Sequence, residues 1–181
     1  GQALRILTSG LAYVRRGGRG GRVAGDRLVV EGVFAHLRNP MYLGNFVAAL
    51  GVALVFNGAL VLAVGMPLLA FGYVCIVLAE EDFLRAKFGA EFARYSRRVH
   101  RFWPTFSGLR STLRGSRFDW RHVLRKEYGT VFSSTTLLLG ALVWTRWTLA
   151  GPETGFAWLR ALAPVWLLLV TLYLVVRQVK K

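Results

Sequence analysis

Two stretches of the chain are apolar almost throughout: residues 41–56 (MYLGNFVAALGVALVF) and 59–79 (ALVLAVGMPLLAFGYVCIVLA), with the turn signal Asn57-Gly58 between them. At about 1.5 Å per residue the two arms are roughly 24 Å and 31 Å long as helices. The second is long enough for a hydrocarbon core of about 30 Å, and the first is short and starts below the headgroups. Pro67 predicts a kink in the second arm. A turn this tight makes the arms antiparallel, so Pro40 and Glu80 emerge close together on one membrane face. Two further apolar stretches, 128–149 and 158–177, predict a second hairpin joined by 150–156 (AGPETGF). Ser133, Ser134, Thr135 and Thr136 fall inside the third span, where hydroxyls bond back to their own helix or across to a neighbour.

The rest of the chain lies outside these runs. Residues 1–14 are moderately apolar and too short to span; they read as an interfacial helix or the tail of a lost span. Residues 15–27 (RRGGRGGRVAGDR) read as a flexible, basic, glycine-rich loop, and 28–34 as a short apolar approach to Arg38. In 80–103, Phe83, Leu84, Phe88, Phe92, Tyr95 and Val99 recur at helical spacing on one broad face, which predicts a surface helix bent or broken near Gly89. Residues 104–127 are polar and basic and are expected on the cytoplasmic surface. The expected fold is all-α: a polytopic transmembrane helical bundle of about four spans in two hairpins, plus cytoplasmic amphipathic helices. Its expected divisions are 1–31, 32–104 and 105–181.

Composition supports a membrane protein and charge orients it. Of the 181 residues 54% are hydrophobic, yet the net charge is +15. A nucleic-acid binder accounts for the charge but not for the apolar runs; a membrane protein with basic loops accounts for both. In the four-span arrangement 22 of the 24 Lys and Arg residues fall on one side, the exceptions being Arg146 and Arg160. The positive-inside rule makes that side cytoplasmic, here expected to be the cytoplasmic face of a bacterial inner membrane, and the excess favours anionic headgroups. Cys75, the single cysteine, allows no disulfide within the chain and reads as span packing. His36, His100 and His122 are scattered, and no metal site is expected from them. The chain begins at Gly1 rather than Met, which leaves room for a removed tag or whole spans upstream.

Two motifs carry candidate chemistry. In Arg38-Asn39-Pro40-Met41-Tyr42-Leu43-Gly44, Asn39 suits a helix cap, Pro40 the first helical position and Tyr42 the aromatic belt. Functionally, Arg38 and the helix N-terminus present positive potential to an anionic group, and Gly44 allows a close approach to the backbone. The second motif is Glu80-Glu81, at the expected end of the second arm. Carboxylates there oppose the helix dipole, which asks for a compensating cation, and Arg38 is the nearest by topology. Together these residues suit a zwitterion with an additional positive charge. S-adenosyl-L-methionine has an amino group and a sulfonium for the glutamates, and a carboxylate for the arginine or the helix N-terminus.

The stretch from Gly32 to Pro104 resembles the isoprenylcysteine carboxyl methyltransferase and phospholipid methyltransferase superfamily. The resemblance rests on Gly32-Val33-Phe34, on Arg38-Asn39-Pro40-Met41-Tyr42-Leu43-Gly44, on Glu80-Glu81 after a hairpin, on Phe88-Gly89, Phe92 and Tyr95, and on Arg101-Phe102-Trp103-Pro104. It implies that 32–104 is an integral membrane methyltransferase core using S-adenosyl-L-methionine on a lipid or lipid-like acceptor. It implies donor binding by Arg38, Asn39, Pro40, Tyr42, Leu43, Gly44, Glu80 and Glu81, with Arg38 and Glu81 as the catalytic pair. Asn39 stands where the family usually has His, which removes any role for an imidazole there. The two spans after 128 lie beyond the usual core; their expected role is packing, with a wall for a lipid cavity or an oligomer contact as the sharper alternative. An NADPH-dependent reductase of the sterol-reductase type is the competing enzyme reading, and a membrane adaptor the non-enzymatic one. Arg16-Gly17-Gly18-Arg19-Gly20-Gly21-Arg22 resembles an arginine–glycine segment used with RNA, but one copy beside a span reads as a loop, and no nucleic-acid partner is expected. The acceptor and the oligomeric state stay open.

Overall fold

Asn57 sits at a φ of 53°, the left-handed conformation that Asn tolerates better than most residues, and it ends the first arm. Its amide bonds back to the Ala53 and Leu54 carbonyls at 3.1 and 3.2 Å, so the helix closes where the turn signal stands. The computed structural model describes residues 1–12 and 28–179, and its described residues form helices and turns. The basic glycine-rich loop expected over 15–27 and the two terminal lysines lie outside the described residues. In chain order the helices are α1 (Gln2–Ala12), α2 (Pro40–Phe56), α3 (Met66–Arg98), α4 (Leu109–Gly115), α5 (Trp120–Ala150) and α6 (Pro152–Val179). A 3₁₀ turn at Gly32–Ala35 precedes α2, and a π turn at Val61–Gly65 precedes α3.

Two of these helices are long and apolar enough to cross a membrane, Val61–Arg98 and Pro152–Val179. α2 is apolar but shorter. The expected span 128–149 lies within α5, which has the length but dilutes its apolar residues with Ser133 to Thr136 and with Thr145, Arg146 and Thr148. The chain is thus a helical membrane bundle. The irregularity expected at Pro67 is the π turn. Proline has no N–H to give the carbonyl four residues back, at Ala63, and that carbonyl falls in the widened turn.

One expected boundary is absent. The arm does not end at Ala79; α3 runs on through Glu80-Glu81 to Arg98. It bends at Gly89, whose φ of 48° and ψ of −117° are non-helical and suit glycine. The expected apolar face is buried only in part. Beyond the bend Phe92 and Val99 are buried, while before it Phe83 is exposed.

The described residues fall into two units. Unit 1 holds Gly1–Asn45 and Ala70–Val123, and unit 2 holds Phe46–Leu69 and Leu124–Lys181. In unit 1, α1 packs against the 3₁₀ turn, and its Leu11, Thr8, Ser9 and Arg5 are buried. In unit 2 the Thr145 hydroxyl donates to the Val55 carbonyl at 2.5 Å, and the Trp166 indole N–H donates to Thr136 Oγ1 at 3.2 Å. Tyr173 stacks on Tyr128 and Phe132, with centroids 5.3 and 4.6 Å away. Gly151, at a φ of 87°, turns α5 into α6.

Gly155 marks the closest approach of that turn. A Cβ there would lie 2.7 Å from the Trp147 ring and 3.0 Å from the Trp147 Cα. Gly155→Ala is therefore expected to cost about 1–3 kcal/mol through overpacking. At Gly129, in α5, an added Cβ meets nothing within 4 Å. Gly129→Ala should instead gain up to about 1 kcal/mol of helix propensity. Thermal unfolding of both variants in detergent checks the opposite signs.

Candidate active site

Pro40 starts α2 at a position that needs no N–H and is fully buried. Just before it, Arg38 is held by its own amide, which donates to the His100 carbonyl at 3.0 Å. The Thr105 amide donates to the His36 carbonyl at 2.9 Å, and the Asn39 side-chain amide donates to the Arg101 carbonyl at 3.2 Å. These bonds lay the segment before α2 alongside the segment after α3. The imidazole of His36 fastens them further: Nδ1 donates to the Thr105 carbonyl, and Nε2 meets the Thr112 hydroxyl, both at 2.9 Å. The Tyr95 hydroxyl donates to the Phe34 carbonyl at 2.8 Å.

Glu81 projects into this frame. One carboxylate oxygen lies 3.1 Å from Arg38 Nη1. Arg101 grips both oxygens, Nε donating at 3.1 Å and Nη2 at 2.7 Å. The Glu81 side chain is 4% exposed, against 13% for Arg38 and 36% for Arg101. Burial disfavours its charged form, but the Arg101 hydrogen bonds and the charges of Arg38 and Arg101 outweigh that and hold the carboxyl below the usual carboxylate range. Glu81 in turn holds Arg101 more firmly protonated. Among the described residues, Arg38 Nε is buried without a hydrogen-bond partner.

Glu80 differs from its neighbour. It is exposed, and it accepts a hydrogen bond from the Tyr42 hydroxyl at 2.6 Å. The Tyr42 ring lies 5.5 Å from that of Tyr73, tilted by 53°. The site thus pairs a cluster of net charge +1 around buried Glu81, at the N-terminus of α2, with an open carboxylate bonded to Tyr42. Positive potential there suits an anionic group, and the carboxylate suits a cation.

The expected residues therefore divide. Arg38 with Glu81, and Tyr42 with Glu80, are brought into contact. Asn39 and Pro40 shape the start of α2, and Leu43 gives its amide to the Asn39 carbonyl at 3.1 Å in the first helical turn. Gly44 does allow a close approach, but what approaches is α1: a Cβ there would fall 2.8 Å from the Arg5 side chain and 3.0 Å from the Gly1 carbonyl. Arg5 also donates to the Asn45 side-chain carbonyl. The dipole argument for Glu80-Glu81 is corrected, because α3 does not end there; its last turn carries Arg97 and Arg98, which suit the dipole. Burial creates the demand for cations at Glu81. Arg101 was missing from the expected site, though it stands in the Arg101-Phe102-Trp103-Pro104 motif and Glu81 needed a strong partner. Tyr95 likewise stands in a motif of the resemblance without having been expected in the site, while His36 and Tyr73 left no comparable signal.

Comparison with known proteins covers the same part of the chain. Residues 17–91 match the phospholipid methyltransferase family. The superfamily resemblance is therefore shown for that stretch, and it supports a membrane methyltransferase. A relative is the cobalt-zinc-cadmium resistance protein CzcN of Cupriavidus metallidurans, 34% identical over 82 residues. The aligned part is 45% of this chain and 38% of that protein, so the chain spans well under half the length of the curated relative it matches. No solved structure matches. Arg101 lies ten residues beyond the phospholipid methyltransferase match, yet it completes the cluster within it.

Two outcomes follow for Glu81. Glu81→Gln leaves half-buried Arg38 without its carboxylate and should cost up to about 3 kcal/mol. Arg101→Gln should cost less, because Arg38 still faces the carboxylate. Since the folded carboxyl titrates below its ordinary value of 4.5, the pairing stabilises fully above that pH. The contribution is lost as pH falls through the lower folded value. Melting temperatures in detergent should fall on acidification below the ordinary carboxylate range, less steeply in Glu81→Gln than in the wild type.

Proposed function

We propose that the protein is an integral membrane methyltransferase that uses S-adenosyl-L-methionine to methylate a lipid or lipid-like acceptor at the cytoplasmic face. The observation that carries this reading is the meeting of the Arg38–Glu81–Arg101 cluster, the α2 N-terminus and the open Tyr42–Glu80 pair. Most of that arrangement lies within the stretch that matches the phospholipid methyltransferase family.

The residues fit the methyl donor, with a division of labour. Glu81 is already neutralised by two guanidiniums, so Glu80 is the carboxylate left for the donor's ammonium. Arg38, with an unpartnered Nε, and the first turn of α2 suit its carboxylate. When bound, S-adenosyl-L-methionine supplies a methyl group already activated by its sulfonium. The remaining work of the protein is alignment and exclusion of water. A carboxylate acceptor needs no deprotonation. An amine acceptor must first lose a proton. Arg38 and Glu81, expected as the catalytic pair, act here by holding the shape and potential of the site.

Binding of S-adenosylhomocysteine in detergent tests the reading. Losing a charge-assisted hydrogen bond costs about 1.5–3 kcal/mol, so Glu80→Gln should weaken binding about tenfold or more without the stability loss of Glu81→Gln. Tyr42→Phe should weaken it less. Unchanged affinity in both Glu80→Gln and Arg38→Ala would remove the site assignment. Binding of NADPH in place of the methyl donor would transfer the site to the reductase reading.

A further inference from the structure

Residues 103–121 of unit 1 carry a surface that the candidate site does not use. Trp103, Phe106 and Trp120 are 78%, 72% and 65% exposed, and Leu113 is exposed as well. Interspersed with them are Arg110, Arg114, Arg117 and Arg121, all exposed. The acid in this stretch, Asp119, is half-buried and accepts the His122 amide at 2.9 Å at the start of α5. The surface is therefore aromatic and cationic, with little to offset either property.

The segment is also anchored at several points. His36 meets Thr105 and Thr112 at 2.9 Å, and the Asp119 amide donates to the Gly10 carbonyl at 3.0 Å. The Phe118 ring lies against Gly10, where a Cβ would be 2.3 Å from it, and 4.4 Å from the Trp120 ring. Inward contacts hold the backbone while the neighbouring tryptophans and arginines point out.

We propose that this surface docks on the headgroup layer of an anionic lipid leaflet. Trp103, Phe106 and Trp120 rest at the boundary of headgroups and acyl chains, where indole and phenyl rings concentrate. Arg110, Arg114, Arg117 and Arg121 meet lipid phosphates, each contributing about 1 kcal/mol near an anionic surface. Position favours lipid as the partner: the segment directly follows α3, which contains a membrane-length apolar run. Charge favours an anionic lipid over a neutral one. The inference does not depend on methyl transfer.

Amide hydrogen exchange of the full chain reads this directly, in nanodiscs of phosphatidylcholine alone and of phosphatidylcholine with phosphatidylglycerol. Amides of 103–121 should exchange about tenfold more slowly with phosphatidylglycerol present. The variant Arg110→Gln/Arg114→Gln/Arg117→Gln, altered at exposed positions, should lose that difference. Trp103→Ser/Phe106→Ser should exchange faster in both lipids. Equal wild-type exchange in the two lipids overturns the proposal without any variant. A triple variant that keeps the full difference also overturns it, as does protection that appears in neither lipid and arises only with an added acidic protein.

Discussion

A carboxylate removed from water needs opposite charge and hydrogen bonds at close range, and Glu81 obtains both from Arg38 and Arg101. Its two partners come from opposite sides of the hairpin in sequence, one before α2 and one after α3. Meeting at one carboxylate therefore requires the chain to return. The backbone bonds of Arg38 to His100 and of Thr105 to His36 are that return, written in main-chain atoms. The charged cluster and this seam need each other. Without the seam the guanidiniums would not converge, and without the guanidiniums the buried carboxylate would force the seam apart.

The bend at Gly89 makes the geometry possible. Glu81 and Arg101 are twenty residues apart, and a straight helix would carry them about 30 Å from each other. A positive φ at one glycine, followed by the end of α3 at Arg98, brings the chain back within hydrogen-bonding distance. Phe83 is exposed and Phe92 buried; nine residues apart, they lie about 180° from each other around a helix by spacing alone. Lys87 lies over the Phe83 ring, 5.9 Å from its centroid, so the outward ring keeps a partner.

Much of this was legible in the sequence because it rests on local rules. Asn57-Gly58 marks a turn since Asn accepts the left-handed region, Pro40 starts a helix since it needs no donor, and the tight turn returns Glu80 and Glu81 toward Arg38. The bend at Gly89 was readable for the same reason. What was not readable depended on distance along the chain. Nothing local says that α1 reaches Gly44, more than thirty residues away, or that His36 holds Thr105 and Thr112. The end of the arm was misplaced because hydropathy falls at Glu80 while helix propensity does not; Glu, Leu, Arg, Ala and Lys after it are good helix formers. Hydropathy reports where a helix leaves the apolar layer, not where the helix ends.

That distinction bears on the two adjacent glutamates. Successive residues of a helix point about 100° apart, so an acid pair in mid-helix cannot share one environment. Glu81 turns into unit 1 and is neutralised by two guanidiniums; Glu80 is exposed and bonds to the Tyr42 hydroxyl. At a frayed helix end both side chains could reach the same cation, and the pair would be redundant. Because α3 continues, Glu81 meets two guanidiniums while Glu80 meets the Tyr42 hydroxyl. Two identical adjacent residues thereby acquire two different environments from helical geometry alone.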